Sequence, residues 1–402
     1  MNPPSNGSVL SIVETEEPGI VVFSHLRWNF VWQRPQQFLS RFATSHRILF
    51  IEEPIFDLNS GDEGRLELEA VASNIVVAVV HLPEEARNTE FLGETLRKFT
   101  REAVNSVNLK HEFDAPLLWY YSPMEASWSL DYFENSGIIY DCMDELSQFK
   151  GAPPQLIEQE KRLINRADII FTGGHELWLK KSKQHPNVHF FGCGVEVDHF
   201  GKASLEETSI PEDMSNLAKP VIGWFGVVDE RVDYRLLAEM AEKRPDWSFV
   251  MVGPVVKVDP ADLPQAHNLH WLGGRDYKEL PNYCKAFDVC MMAFALNEAT
   301  EFINPTKALE YLATGKPVIS TPVADVVKQY QDTVYIEKDS DGFITRIEHI
   351  LSQPDAQWRA RGIAKAEQCS WDTTVSKMQA LIKEATERKG ESTRTARAVA
   401  TI

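Results

Sequence analysis

Two hydrophobic rhythms alternate along the chain. Short, nearly unbroken apolar runs read as strands buried on both faces, and longer segments whose apolar residues return every three to four positions read as amphipathic helices. The first half predicts strands at 19–24, 47–52, 75–80, 116–121, 137–141, 168–172 and 188–192, with helices at 34–43, 91–107, 155–166 and 176–183. The stretch 201–219 is polar and aperiodic and is the expected linker. The rhythm then restarts, with strands at 221–227, 247–252, 268–272, 288–294, 317–320 and 333–336 and helices at 233–243, 278–287, 305–314, 324–330 and 341–351. A last helix at 371–387 precedes a tail expected to be unstructured. Strand–helix alternation of this kind implies α/β domains with parallel, doubly wound sheets. At 402 residues, two domains of about 200 residues each are expected.

One stretch, 304–317, has both ends marked. Asn304 suits a helix cap and Pro305 the first helical position, while Gly315 and Pro317 end the helix and open the next strand. Helical spacing puts Lys307, Glu310 and Tyr311 on roughly one side and Leu309, Leu312 and Ala313 largely on another. A lysine in the first turn beside free backbone amides suits an anion, and Glu310 one turn on suits a vicinal diol such as a ribose. An ordinary surface pair at three-residue spacing, worth a few tenths of a kcal/mol, accounts for the same residues equally well.

Composition narrows the class. Hydrophobic content of 43% and aromatic content of 10% suit a folded enzyme. No apolar run approaches the roughly 20 residues that span a bilayer, and the first residues lack a signal-peptide pattern, so a cytoplasmic location is expected. Five cysteines without paired spacing argue against a disulfide framework or zinc cluster and fit a reducing compartment. A formal charge of −18 disfavours nucleic acid as a partner. No carboxylate cluster has the spacing of a metal cage, and no cofactor is expected.

Four stretches, in this order, carry a resemblance: Trp28-Asn29-Phe30-Val31-Trp32-Gln33-Arg34-Pro35-Gln36-Gln37, Tyr140-Asp141-Cys142-Met143-Asp144-Glu145, Gly194-Val195-Glu196-Val197-Asp198-His199-Phe200, and 304–317. From about Gly19 to Gln379 the chain resembles the GT-B nucleotide-sugar glycosyltransferases of the family-4 type, and within them the bacterial teichuronic-acid-biosynthesis branch. The resemblance implies two Rossmann-like domains facing a central cleft, with a carboxy-terminal helix crossing back to the first. The corresponding ranges are 1–205 for an acceptor domain, 206–365 for a donor domain, 366–389 for the returning helix and 390–402 for the tail.

Roles follow from the resemblance. Lys307 and Arg231, with the Gly226 loop, face the donor diphosphate, and Glu310 takes the ribose. Gly274 and Arg275 stand in the nucleobase loop. The family's first glutamate, eight positions before the second, falls on Phe302, so Asn304 or the backbone amides of Ile303 to Thr306 take its place and the identity of the sugar stays open. Asp141, Asp144 and Glu145 follow a first-domain strand, where carboxylates serve as acceptor-side catalysts or as helix caps. His25, Trp28, Trp32 and Arg34 belong to an acceptor or lid loop, or to the core. The implied activity is transfer of a hexose-type sugar from a nucleoside diphosphate, with UDP the leading base, to a glycan or lipid-linked acceptor. Retention, metal independence and the inner face of the plasma membrane, with peripheral membrane contact left open, belong to the same expectation. Two rivals stay beside it: a sugar-nucleotide epimerase or hydrolase on the same fold, and a two-domain protein that binds a ligand without chemistry.

Overall fold

The computed structural model describes residues 17–29, 32–149, 152–297, 300 and 306–400, with side chains through Glu391. Two compact units emerge, Met1–Phe191 with Val375–Ile402, and Gly192–Thr374.

In the first unit, strands β1 (Ile20–Ser24), β2 (Ile48–Glu52), β3 (Ile55–Leu58), β4 (Arg65–Ala72), β5 (Ile75–Pro83), β6 (Leu117–Tyr120), β7 (Gly137–Cys142), β8 (Ile169–Thr172) and β9 (Val188–Phe190) form one sheet. Its order is β3-β5-β2-β1-β6-β7-β8-β9, with β4 antiparallel on β5 and the other pairings parallel. The central strands are apolar throughout and covered on both faces, as parallel sheets require. Helices α1 (Arg34–Phe42), α2 (Leu92–Val107), α3 (Ala126–Ser129), α4 (Leu156–Arg166) and α5 (His175–Lys181) supply the cover. On one face Phe99, Ala103 and Leu163 pack with Val21, Leu49 and Leu118; on the other the Phe42 ring meets Trp119 at 5.2 Å.

The second unit holds helix α6 (Val197–Gly201) and strands β10 (Val221–Phe225), β11 (Ser248–Val252), β12 (Leu269–Gly273), β13 (Val289–Met292), β14 (Val318–Ser320) and β15 (Tyr335–Ile336), in the order β12-β11-β10-β13-β14-β15. Its further helices are α7 (Tyr234–Lys243), α8 (Leu280–Ala286), α9 (Lys307–Ala313), α10 (Ala324–Tyr330), α11 (Ser340–Ser352) and α12 (Ala356–Gln368). Numbered within the unit, this is the 3-2-1-4-5-6 order of dinucleotide-binding sheets.

The structure departs from the expected elements in several places, the short helices α3 and α6 among them. The division between units falls at Phe191/Gly192 rather than in 201–219, because Val195, Phe200, Ala203 and Met214 are buried in the second unit's core. Strands β3 and β4 were not expected; β4 lies at the edge of the sheet and is largely exposed, so burial leaves little mark on its sequence. Helix α12 was likewise missed, since only Gly362 and Ala366 are buried along it. The last helix, α13 (Trp371–Ala400), continues through the region expected to be a loose tail, which contains no proline and one glycine, Gly390. From Val375 on, α13 belongs to the first unit, where Lys389 Nζ bonds Asp168 Oδ2 at 2.8 Å and Asn135 Oδ1 at 2.7 Å. No helix among the described residues is long and apolar enough to cross a membrane.

Packing within the second sheet is close at Gly223, where an added Cβ would lie 2.2 Å from the Phe287 ring. Gly223→Ala is therefore expected to destabilise the protein by about 1–3 kcal/mol, read from the urea midpoint at constant slope.

Candidate functional site

The strand order of the second unit reverses between β10 and β13. Helices reach the sheet from opposite faces on the two sides of such a reversal, which leaves a crevice at the carboxyl ends of the strands. The first residue beyond β10 is Gly226, at φ +137°, with its N–H on the Val252 carbonyl at 2.8 Å. Gly253, beyond β11, has φ +154°, and a Cβ there would sit 1.8 Å from the Gly226 oxygen. A side chain at Gly253 would break this backbone-to-backbone contact, and one at Gly226 would be strained at its positive φ, so both positions favour glycine.

Helix α9 is hung on the same point. The fully buried Tyr311 hydroxyl accepts the Phe225 N–H at 2.7 Å and donates to the Phe225 carbonyl at 3.4 Å. Lys307, one turn earlier, is thereby set against the Gly226 loop, and a Cβ on Gly226 would lie 2.0 Å from Lys307 Cε. The Lys307 ammonium lies over the rings of Trp224, at 5.3 Å, and Phe294, at 6.0 Å. Among the described residues no hydrogen bond or ion pair reaches it. Burial holds its pKa below the ordinary lysine value, with Glu310 opposing that shift and Arg231 adding to it. The Glu310 carboxyl is pushed up to about 7 by burial, against the pull of Lys307 and with Glu196 adding to the rise.

Arg231 is part of the cluster but already engaged. Asp229 takes its guanidinium in a fork, Nε to Oδ1 at 3.0 Å and Nη2 to Oδ2 at 2.6 Å. The Arg231 carbonyl accepts the Ala295 N–H at 2.8 Å, which ties the loop after β10 to the segment after β13. Thr306 immediately precedes α9 in helical conformation, and its side chain makes no cap. Asn304 and the rest of 301–305, including Phe302 and Ile303, lie outside the described residues.

The expected nucleobase loop has a structural task as well. Gly274 is exposed, whereas the Arg275 guanidinium is bound by Tyr283 Oη at 2.5 Å, Asp213 Oδ2 at 2.9 Å and the Gly274 carbonyl at 2.9 Å.

In the first unit the expected site residues are redistributed. Arg34 and Asp141, read separately as an acceptor-loop cation and a catalytic carboxylate, are partners: Nη2 meets Oδ1 at 2.8 Å in a pair almost closed to solvent. Asp141 is fully buried, and burial raises its pKa while Arg34 counters the rise, so this carboxylate ties α1 to β7. Arg34 also bonds the Phe191 carbonyl at 2.5 Å. Trp28 is core rather than lid, 5.2 Å from Phe50 with its N–H on Glu52 Oε1 at 2.8 Å. Trp32 is 43% exposed. Asp144 is exposed, and Glu145 is paired with Lys180 at 2.7 Å. His25 is partly buried at the end of β1. Sequence reasoning passed over Glu53 and Glu125 near the same strand ends; the available signal was a lone carboxylate after the β6 run, with no basic residue nearby.

Comparison with known proteins bears on the family and the fold. Residues 219–353 match the model of the glycosyl transferases group 1 family, so the second unit carries a domain of that kind. A Bacillus subtilis (strain 168) protein, the candidate teichuronic acid biosynthesis glycosyltransferase TuaH, is 28% identical over 260 residues. That match covers 59% of this chain and 64% of the relative, so it spans less than two thirds of that protein. A UDP-forming α,α-trehalose-phosphate synthase from Burkholderia xenovorans superposes with a TM-score of 0.65 at 13% identity, covering 92% of this chain and 99% of that one. Anabaena HepE (Alr3699), solved with UDP and glucose, superposes with a TM-score of 0.62 at 14% identity, covering 90% and 98%. At these identities the structures establish the fold, two Rossmann-like domains of the GT-B kind.

Two expectations follow. Arg34→Ala would leave the Asp141 carboxylate buried without its partner, and a loss of about 3–5 kcal/mol is expected in urea unfolding. Glu310 has its folded pKa, about 7, above its ordinary 4.5, so the folded state binds the extra proton and the associated stability is lost as pH rises through that window. Glu310→Gln should therefore gain stability relative to the parent as pH is raised from 4.5 to 7, and thermal melts across that range measure it.

Proposed function

We infer, from a second unit that carries a group 1 glycosyl transferase domain, that this chain transfers a sugar from a nucleoside-diphosphate sugar to a hydroxyl of a glycan or lipid-linked acceptor. One observation carries the reading: Lys307 is held without a hydrogen-bonding partner among the described residues, beside Gly226, at the crevice where a doubly wound sheet takes its ligand. An unpaired cation in a half-dry crevice has a large unmet electrostatic demand, and a diphosphate leaving with two negative charges meets it. Backbone at Gly226 comes as close as a phosphate oxygen requires, because no side chain intervenes.

Within this reading Lys307 binds the diphosphate and stabilises its departure. Arg231, steadied by Asp229, adds positive charge nearby. Glu310 accepts the ribose hydroxyls, and a carboxyl poised at about 7 does so in its ionised form above that pH. The cationic pair takes over the charge neutralisation that a divalent ion supplies in other transferases, which supports metal-independent transfer. UDP is the leading nucleotide, because two neighbours in fold are described with it. Retention of anomeric configuration rests on family likeness.

A thermal-shift panel of UDP-, GDP-, ADP- and dTDP-sugars identifies the donor, since only a bound ligand raises the midpoint. Lys307→Ala should lower sugar transfer at least about tenfold and abolish the donor-dependent shift, while moving the ligand-free midpoint little. Chelation with EDTA should leave the rate unchanged. Full turnover by Lys307→Ala would remove the lysine from the site.

A further inference from the structure

Strands β10 and β13 separate early. Their ladder pairs Ile222 with Val289 and Gly223 with Cys290 and goes no further, while β13 stays paired to β14 as far as Met292 and Ser320. Ala293, Phe294 and Ala295 run on beyond both ladders, and Phe294 is buried. Buried backbone groups need partners wherever they end up. On one side the loop after β10 supplies them: the Asp233 N–H bonds the Ala293 carbonyl at 2.9 Å, and the Ala295 N–H bonds the Arg231 carbonyl at 2.8 Å. On the other side β14 has already ended, and a side chain stands in for a strand. The Thr321 hydroxyl accepts the Phe294 N–H at 3.2 Å and donates to the Phe294 carbonyl at 2.8 Å. Thr321 is itself buried, with its own N–H on the Met292 carbonyl at 3.1 Å.

The residue so held belongs to the surroundings of Lys307. The Phe294 ring packs edge-on against Trp224 at 5.0 Å, and the Lys307 ammonium lies over both rings. Trp224 precedes Phe225, whose N–H and carbonyl are taken up by the Tyr311 hydroxyl in the same two-bond manner. Two hydroxyls therefore hold the two chain segments that flank the reversal, and each segment contributes one ring of the pair.

We propose that Thr321 is a positioning residue for Lys307: its hydroxyl clamps Phe294 where β10 and β13 have separated, and the ring pair so held sets where the ammonium stands. Treating Lys307 as the donor's cation rests on the transferase reading above; the clamp itself does not. A hydroxyl is required because it donates and accepts at once. Valine, of similar shape, would leave a buried N–H and a buried carbonyl without their partner, and the segment would relax toward water to recover them. The charges bearing on Lys307 would stay as they are, namely Glu310 on α9, Arg231 and Asp229 on the loop after β10, and Cys193 ahead of α6. Burial is the largest influence on the lysine and lowers its pKa, so water admitted beside the rings moves that pKa up.

Competitive acetylation of the full chain with trace acetic anhydride across pH, read by mass spectrometry, follows the Lys307 amine whether or not a donor binds; calorimetry with UDP follows the anion site. Thr321→Val should move the labelling midpoint of Lys307 to higher pH and weaken UDP binding at least about tenfold, and Thr321→Ser, which keeps the hydroxyl, should restore both. Thr333→Val, which removes another buried hydroxyl, bonded to the Tyr330 carbonyl at 3.2 Å, should lower the melting temperature and leave both readings at the parent values. Phe294→Leu keeps the backbone bonds, removes the ring and should weaken UDP to a similar degree, which tests the ring pair even where Thr321→Val does not fold. A folded Thr321→Val with the parent's labelling midpoint would overturn the proposal, as would parent-like UDP affinity in Phe294→Leu when Lys307→Ala has lost it. UDP binding that is absent from the parent or indifferent to Lys307→Ala, with the Thr321→Val midpoint displaced, would instead sink the donor reading and leave the clamp standing.

Discussion

The hydroxyl of Tyr311 on the backbone of Phe225 is the contact on which the donor crevice depends. It uses both polar groups of the last residue of β10 and so fixes α9 to the strand that the reversal makes central. Lys307 reaches Gly226 only because Tyr311 is four residues further along the same helix. The bond is fully buried, where a hydrogen bond is strong and its loss leaves an unsatisfied donor. The contact that stabilises the fold therefore also positions the cation.

The two units treat buried charge in opposite ways in different places. Arg34–Asp141 and Lys181–Glu160 are closed pairs that join distant segments, and their value lies in holding α1, α4, α5 and β7 in register. Lys307 and Glu310 are held in half-dry surroundings, each felt by the other electrostatically but with no hydrogen-bonded ion pair among the described residues. Folded proteins carry unmatched groups at the expense of stability, and they concentrate where a ligand completes them. Lys307 is set beside Gly226, just beyond the carboxyl end of β10 at the reversal of strand order, the place where a doubly wound sheet leaves a crevice.

Much of this was legible from the chain alone. The alternation of apolar runs and amphipathic segments located the strands of both sheets within a few residues, β3 and β4 excepted, because strands covered on both faces must be largely apolar. Helix punctuation around Gly315 and Pro317 located α9, and helical period put Lys307 and Glu310 on its polar side. Edge strand β4 was not legible, because little of it is buried and its pattern answers to solvent. The end of the first unit was missed for the converse reason, since residues that look like a polar linker hide Phe200 and Met214 in the second core.

What the sequence determined by itself is local: period, caps, turns and the chemistry that each loop can offer. Which of those chemistries are used was decided only by tertiary structure. Arg34 and Asp141 are 107 residues apart and give no sign of being partners until β7 lies beside α1. Glu125 is an unremarked carboxylate until the fold buries it and pushes its pKa up to about 7. Burial and partnership are set by contacts between distant segments, and electrostatic character depends on both.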